Sequence, residues 1–145
     1  MNIVVAGGTG FIGRALCGAL SQEGHRVTIL TRSVGSPERH LGKSQLSVAW
    51  TGQNTGPSRQ ALEEADAVIN LAGAPIADAR WTPARKQLLI ESRVQTTRII
   101  VEAMSRWPSK SRVLISASGI GYYGASDDRV LDEGTARGQG FLADL

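Results

Sequence analysis

The residues best suited to chemistry in this chain stand close to its start. Gly7, Gly8, Gly10 and Gly13 fit the spacing Gly8-x-Gly10-x-x-Gly13 and, read one residue earlier, Gly7-x-x-Gly10-x-x-Gly13. Ile3, Val4, Val5 and Ala6 precede them as an apolar run too short for a helix and suited to a buried parallel strand. Residues from Phe11 to Glu23 read as a helix. Glycines between a strand and a helix accept a pyrophosphate for steric reasons. The first allows a tight turn, the second lets backbone approach the phosphates with no Cβ between, and the third lets the helix pack close to the strand. Free N–H groups at the helix N-terminus then receive the negative charge. Thr9, Phe11 and Ile12 fill the places between the glycines and belong to the same candidate dinucleotide site. A Walker A loop is excluded, because no Gly-Lys-Ser/Thr follows. A tight strand-to-helix turn without a ligand would use the same letters.

A dinucleotide site also needs a group at the end of the second strand to meet the ribose. An acid there would bond the 2′-hydroxyl and select NAD. This chain has Thr31, Arg32 and Ser33 instead, with no Asp or Glu between Glu23 and Glu38. Arginine can pair with a 2′-phosphate in a charge-assisted fork, with hydroxyls adding donors, so NADP is favoured over NAD. A solvated surface arginine is the plain alternative. Trp50, at the end of the third strand, is a packing residue that could also edge the adenine pocket.

Two further stretches lie where strands end. Asn70-Leu71-Ala72-Gly73 closes the fourth strand, and Leu71, Ala72 and Gly73 leave room for the middle of a cofactor. Ser116, Ser118, Tyr122 and Tyr123 follow the fifth strand. A serine hydroxyl can donate to a substrate oxygen, and a tyrosine can relay a proton. Ser118, Tyr122 and Tyr123 are therefore candidate catalytic residues, and Ser116 a cofactor contact. A glycine-rich loop with aromatic packing would read the same way. Neither His25 nor His40 has metal-ligand company, and no Cys/His cluster or acid pair suggests a metal site.

The elements that must position these residues alternate. Phe11, Ile12, Ala15, Leu16, Ala19 and Leu20 form the apolar stripe expected of the first helix, and Gly24 suits its C-terminal cap. Strands are expected over 26–30, 46–50, 67–73 and 112–116, with 33–45 loop-like. Ser58 could cap a short helix ending at Glu64. Thr82-Pro83 opens a long helix to about Arg106, with Leu89, Val94, Thr97, Ile100, Val101 and Met104 mostly inward and Pro108 as its stop. Residues 119–140 read as a long loop over the strand ends, and Phe141 begins another helical turn. Strand–helix alternation with right-handed crossovers predicts an α/β doubly wound parallel sheet ordered 3-2-1-4-5.

Composition narrows the classes. At 145 residues, 41% apolar and 20% charged, the chain has one domain's length and an ordinary globular make-up. A net charge of +3 without any block of like charges speaks against a nucleic-acid partner. No signal peptide or membrane span is read, so no membrane partner is expected and the cytoplasm is the expected location. The single cysteine, Cys17, sits in the first helix as a small packed hydrophobe. The partners implied are a dinucleotide and a small-molecule substrate, with homo-oligomerisation left open.

The motifs together resemble an extended short-chain dehydrogenase/reductase, in the atypical branch of epimerase family proteins that are NAD-dependent epimerase/dehydratase-like. The matching residues are the glycine run 7–13, Thr31-Arg32, Asn70 to Ile76 and Arg80-Trp81-Thr82. Ser92-Arg93-Val94 with Thr97, Ser116 to Ser118 through Tyr122-Tyr123-Gly124, and Phe141-Leu142-Ala143 also match. The resemblance implies a Rossmann-type fold, NADP at the glycine loop and Arg32, and a serine near 118 facing the nicotinamide. The superfamily's Tyr-x-x-x-Lys would begin near Phe141 or Leu142, and the pair is not in this chain. The match covers the amino-terminal, cofactor-binding half, truncated before the later strands and the substrate-binding carboxyl-terminal region. Two functions fit: an oxidoreductase or epimerase acting by hydride transfer on a sugar-nucleotide-like or small carbonyl substrate, and a non-catalytic NADP-binding module that senses redox state or serves as a scaffold.

Overall fold

The computed structural model describes residues 1–32, 44–52, 56–106, 113–125 and 127–145. Ser33, His40, Trp107 and Pro108, and most of the predicted 33–45 loop, lie outside the described residues.

Five parallel strands form the sheet: β1 (Asn2–Ala6), β2 (Arg26–Thr31), β3 (Gln45–Ala49), β4 (Ala67–Asn70) and β5 (Val113–Ser116), in the order β3-β2-β1-β4-β5. This is the order expected from the sequence. The register pairs Val5 with Ile29 on one side and with Ile69 on the other, so β-branched side chains stack across the sheet centre. Alternate residues point to opposite faces, and each face has its own core. Val4, Ala6, Leu30, Val48 and Val68 pack with Leu62 of helix α2 (Gly56–Glu64) and Ile100 of helix α4 (Thr96–Ser105). Ile3, Val5, Val27, Ile29 and Ile69 pack beneath Cys17 of helix α1 (Phe11–Gln22). Each fully buried Ile or Val there contributes about 1.5–3 kcal/mol of hydrophobic stabilisation.

The stripe expected of α1 differs from the one observed. Gly13 and Cys17 are buried, with Leu16 and Leu20 packed beside them, whereas Phe11, Ile12, Ala15 and Ala19 are exposed. The close approach of Gly13 to the glycine turn sets the rotation of the helix and turns Phe11 and Ile12 outward. At its other end α1 closes as a Schellman motif: Gly24 N–H donates to Ser21 O and His25 N–H to Leu20 O, each at 3.1 Å, with Gly24 at φ +80°.

The long helix after Thr82 is present in three consecutive pieces: α3 (Pro83–Ile90), a π-helical turn Glu91–Gln95, and α4. Thr82 caps it as expected, its Oγ1 accepting from Arg85 N–H at 3.2 Å with Pro83 at the first position. Leu89, Ile100 and Ala103 are buried, while Val94 and Val101 are exposed and so lie off the inward stripe. Ser58 is a buried residue within the first turn of α2 instead of its cap. β5 is one of the two edge strands. Leu114 packs inward, and Val113 and Ile115, on the α1 side, are more than half exposed. A short 3₁₀ turn (Ile120–Tyr123) and a final turn, α5 (Phe141–Asp144), complete the described structure.

Candidate functional site

All the sequence-derived site residues sit at the carboxyl ends of the strands, where open α/β sheets bind ligands. The glycine turn is the centre. Gly7 adopts φ +80°, and a Cβ there would lie 2.8 Å from the carbonyl carbon and oxygen of Leu71. Gly13 is pressed as closely onto the turn: its Cβ would stand 2.7 Å from Gly8 Cα and closer still to Gly7 O. Gly10 N–H donates to Gly7 O at 3.0 Å, and Gly10 then serves as the N-cap of α1. Of the two spacings read from the sequence, the three-spaced one carries the backbone geometry. Gly8 has a different task, since a Cβ there would strike the side chains of Ile29 and Cys17.

Gly10 offers no side chain to cap α1, and no acid occupies the first turn. The positive end of the helix is thus left to an anion from outside. Among the described residues only Gly7 O comes near the missing Cβ of Gly10, at 3.3 Å, so they leave the space above it open. Phe11 and Ile12 flank it, 90% and 65% exposed, and Thr9 lies in the turn itself. A Cβ-free cradle with free helix polarity fits a pyrophosphate.

On the β2 side, Thr31 ends its strand half-buried, with its carbonyl accepting from Trp50 N–H at 2.8 Å, and Arg32 follows it exposed. Trp50 is 7% exposed and belongs to the core shared by α2 and α4, so its ring is committed to packing, with its indole Nε1 buried and without a hydrogen-bond partner among the described residues. Little of that ring is left for a ligand.

On the β4 side, Asn70 is the organising residue. It is 4% exposed, donates through Nδ2 to Thr97 Oγ1 at 3.0 Å and Ser116 Oγ at 3.4 Å, and accepts through Oδ1 from Ala72 N–H at 3.2 Å. One amide therefore joins the ends of β4 and β5 to α4 and shapes the turn through Leu71, Ala72 and Gly73. Ser118 is exposed beyond Ser116. Tyr122 and Tyr123 meet edge to face at 5.2 Å, and Tyr123 donates its hydroxyl to Asp132 O at 3.0 Å. The ties to Thr97 and Ala72 could not be read from the sequence. Nor could a role for Arg93, whose guanidinium lies over Gly73. Its signals were its place in Ser92-Arg93-Val94, one of the stretches that carry the resemblance, and an arginine within a helix otherwise read as turning its apolar residues inward.

Cys17 faces the turn from beneath, and burial pushes its thiol up to about 11. It is a packing residue. Among the described residues no group of His, Cys, Asp and Glu could hold a metal ion, and no helix is long and apolar enough to cross a membrane.

A parallel doubly wound sheet with a glycine cradle at its switch point defines an NAD(P)-binding Rossmann fold. The chain belongs to the NAD dependent epimerase/dehydratase family, whose model matches residues 3–139. It is 38% identical over 136 residues to the epimerase family protein YfhF of Bacillus subtilis, covering 94% of this chain and 43% of that relative. It is similar to the crystal structure of human epimerase family protein SDR39U1 with NADPH, with 28% identity and a TM-score of 0.75, covering 99% of this chain and 45% of that one. A UDP-glucose-4-epimerase from Stenotrophomonas maltophila, solved with NAD and formylated UDP-arabinopyranose, shares the fold at 22% identity and a TM-score of 0.79, covering 99% of this chain and 45% of that one. The chain thus spans less than half the length of these relatives.

Proposed function

We propose that this chain is the NADP-binding part of an epimerase-like oxidoreductase acting on a sugar-nucleotide-like or small carbonyl substrate. The observation that carries the reading is the cradle of Gly7, Gly10 and Gly13, where backbone stands open to an anion at the N-terminus of α1. Arg32, exposed at the carboxyl end of β2 in a stretch with no Asp or Glu between Glu23 and Glu38, supports a 2′-phosphate over a free ribose hydroxyl. The human relative solved with NADPH supports the same choice by analogy. When bound, the nicotinamide would supply reversible hydride transfer. Ser118, exposed past β5, would orient a substrate oxygen. Tyr122 is better placed than Tyr123 to relay a proton, because the Tyr123 hydroxyl is already engaged with Asp132 O.

The test is an equilibrium titration with NADPH and NADH, repeated on Arg32→Ala. A charge-assisted contact to phosphate is worth about 1.5–3 kcal/mol, so the substitution should weaken NADPH about tenfold to a hundredfold and leave NADH nearly unchanged. Equal loss for both cofactors would assign Arg32 a structural part and remove the preference for NADP.

A second reading, a non-catalytic NADP-binding module, is favoured by Phe141. The resemblance places a tyrosine near Phe141 or Leu142, and the Phe141 ring packs edge-on against Trp81 at 5.5 Å with Lys86 Nζ 5.1 Å above it. NADPH binding by the full-length protein without turnover of any carbonyl substrate would support that reading.

A further inference from the structure

Between β4 and α3 the chain has no regular structure, yet side chains tie its backbone at residues 74–76. Three successive carbonyls each receive one side-chain donor. Arg93 Nη1 donates to Ala74 O at 3.1 Å, Arg85 Nη2 donates to Pro75 O, and Trp81 Nε1 donates to Ile76 O at 2.7 Å. Ser92 Oγ accepts from Ala74 N–H at 3.0 Å and itself donates to Leu89 O at 3.0 Å. Both polar backbone groups of Ala74 are therefore taken by neighbouring residues of one helix. The Arg93 guanidinium also covers Gly73, where a Cβ would stand 3.0 Å from Cζ.

Two adjacent helical residues reach the same loop residue because the helix is locally wider. Ser92 and Arg93 belong to the π turn Glu91–Gln95, in which more residues share each turn and neighbouring side chains diverge less than in an α-helix. The loop they hold begins at the wall of the glycine cradle, since Leu71 and Ala72 pack directly on Gly7. It lies on the β4 side of that cradle, away from Arg32, where the second ribose and nicotinamide of a dinucleotide run.

We propose that Arg93, seconded by Ser92, is a positioning residue. It holds residues 73–76 at the height that lets the loop wall the nicotinamide half of the cofactor, touching backbone and not the ligand. The proposal rests on the NADP reading above.

The experiment uses the full-length protein with Arg93→Met, Arg93→Lys and Ser92→Ala. Amide hydrogen exchange over residues 71–82 is measured together with affinity for NADPH and for adenosine 2′,5′-bisphosphate, which carries only the adenosine end. Arg93→Met should speed exchange in that segment and weaken NADPH about tenfold, with bisphosphate affinity unchanged within about twofold. Arg93→Lys keeps a donor for Ala74 O and should recover most of the NADPH affinity. Equal loss for both ligands, or exchange no faster than in the parent, would overturn the proposal. If the parent binds neither ligand, the NADP reading falls, and exchange alone decides the clamp: faster exchange confined to 71–82 upholds it, unchanged exchange refutes it. If Arg93→Met does not fold, Ser92→Ala, which removes the partner of Ala74 N–H and leaves the loop sequence untouched, carries the test with the same outcomes.

Discussion

A single substitution made at two places in α1 tests how the glycine cradle is built. At Gly13, an alanine Cβ would stand 2.7 Å from Gly8 Cα and 2.8 Å from Gly8 C, with Gly7 O closer still, and all of these are backbone atoms. No side chain can rotate away. Ordinary contact starts near 3.4 Å, so helix and turn must part by roughly 1 Å to clear Gly7 O, an overpacking at the upper end of the usual cost of about 1–3 kcal/mol. Better helix propensity returns about 0.8–1 kcal/mol, leaving a net loss of about 2 kcal/mol. At Gly18, five residues on in the same helix, no described residue lies within 4 Å of the missing Cβ. The propensity gain stands alone there, and Gly18→Ala should stabilise by about 0.8–1 kcal/mol. Urea unfolding of parent and both variants measures the two signs directly. NADPH titration adds a second readout, because moving the N-terminus of α1 off the turn should weaken binding about tenfold or more in Gly13→Ala and not in Gly18→Ala. A Gly13→Ala protein as stable as the parent, or two variants that shift stability in the same direction, would refute the close-packing account.

The remaining predictions concern neighbouring residues. Gly10→Val meets only Gly7 O, so secondary structure by circular dichroism should persist while NADPH binding is lost; binding at parental strength would reduce the loop to a turn. Asn70→Ala leaves Ala72 N–H and the Thr97 and Ser116 hydroxyls without their partner, and should cost about 1–3 kcal/mol in urea unfolding. Cys17 should resist maleimide at pH 8 until the protein is denatured. Its folded-state pKa lies above the ordinary 9.0, so its contribution to stability is complete below pH 9 and declines as pH rises toward about 11. A pH titration of unfolding with Cys17→Ala as control checks that sign.

Strand order was legible because it follows from local pattern and handedness. Apolar runs of four or five residues alternating with helical stretches admit few arrangements once crossovers are right-handed, and β3-β2-β1-β4-β5 is the one observed. The glycine cradle was legible for a related reason: Gly7, Gly10 and Gly13 answer steric demands made within one turn, so their spacing alone predicts their geometry. Thr82-Pro83 and Gly24 were legible as helix ends because a cap bonds to its own backbone. What the sequence left open involves contacts between distant residues. Whether Phe11 and Ile12 face in or out depends on how deeply Gly13 seats α1 on the turn, and periodicity carries no record of that depth. Asn70 reads as the last polar letter of a strand until its amide meets Thr97, 27 residues on, and Ser116, 46 residues on. Arg93 reads as a charge on a long helix until the π turn aims it at a loop 19 residues back. Hydrogen bonds of that span depend on where two elements come to rest against each other, and only the packed structure decides that.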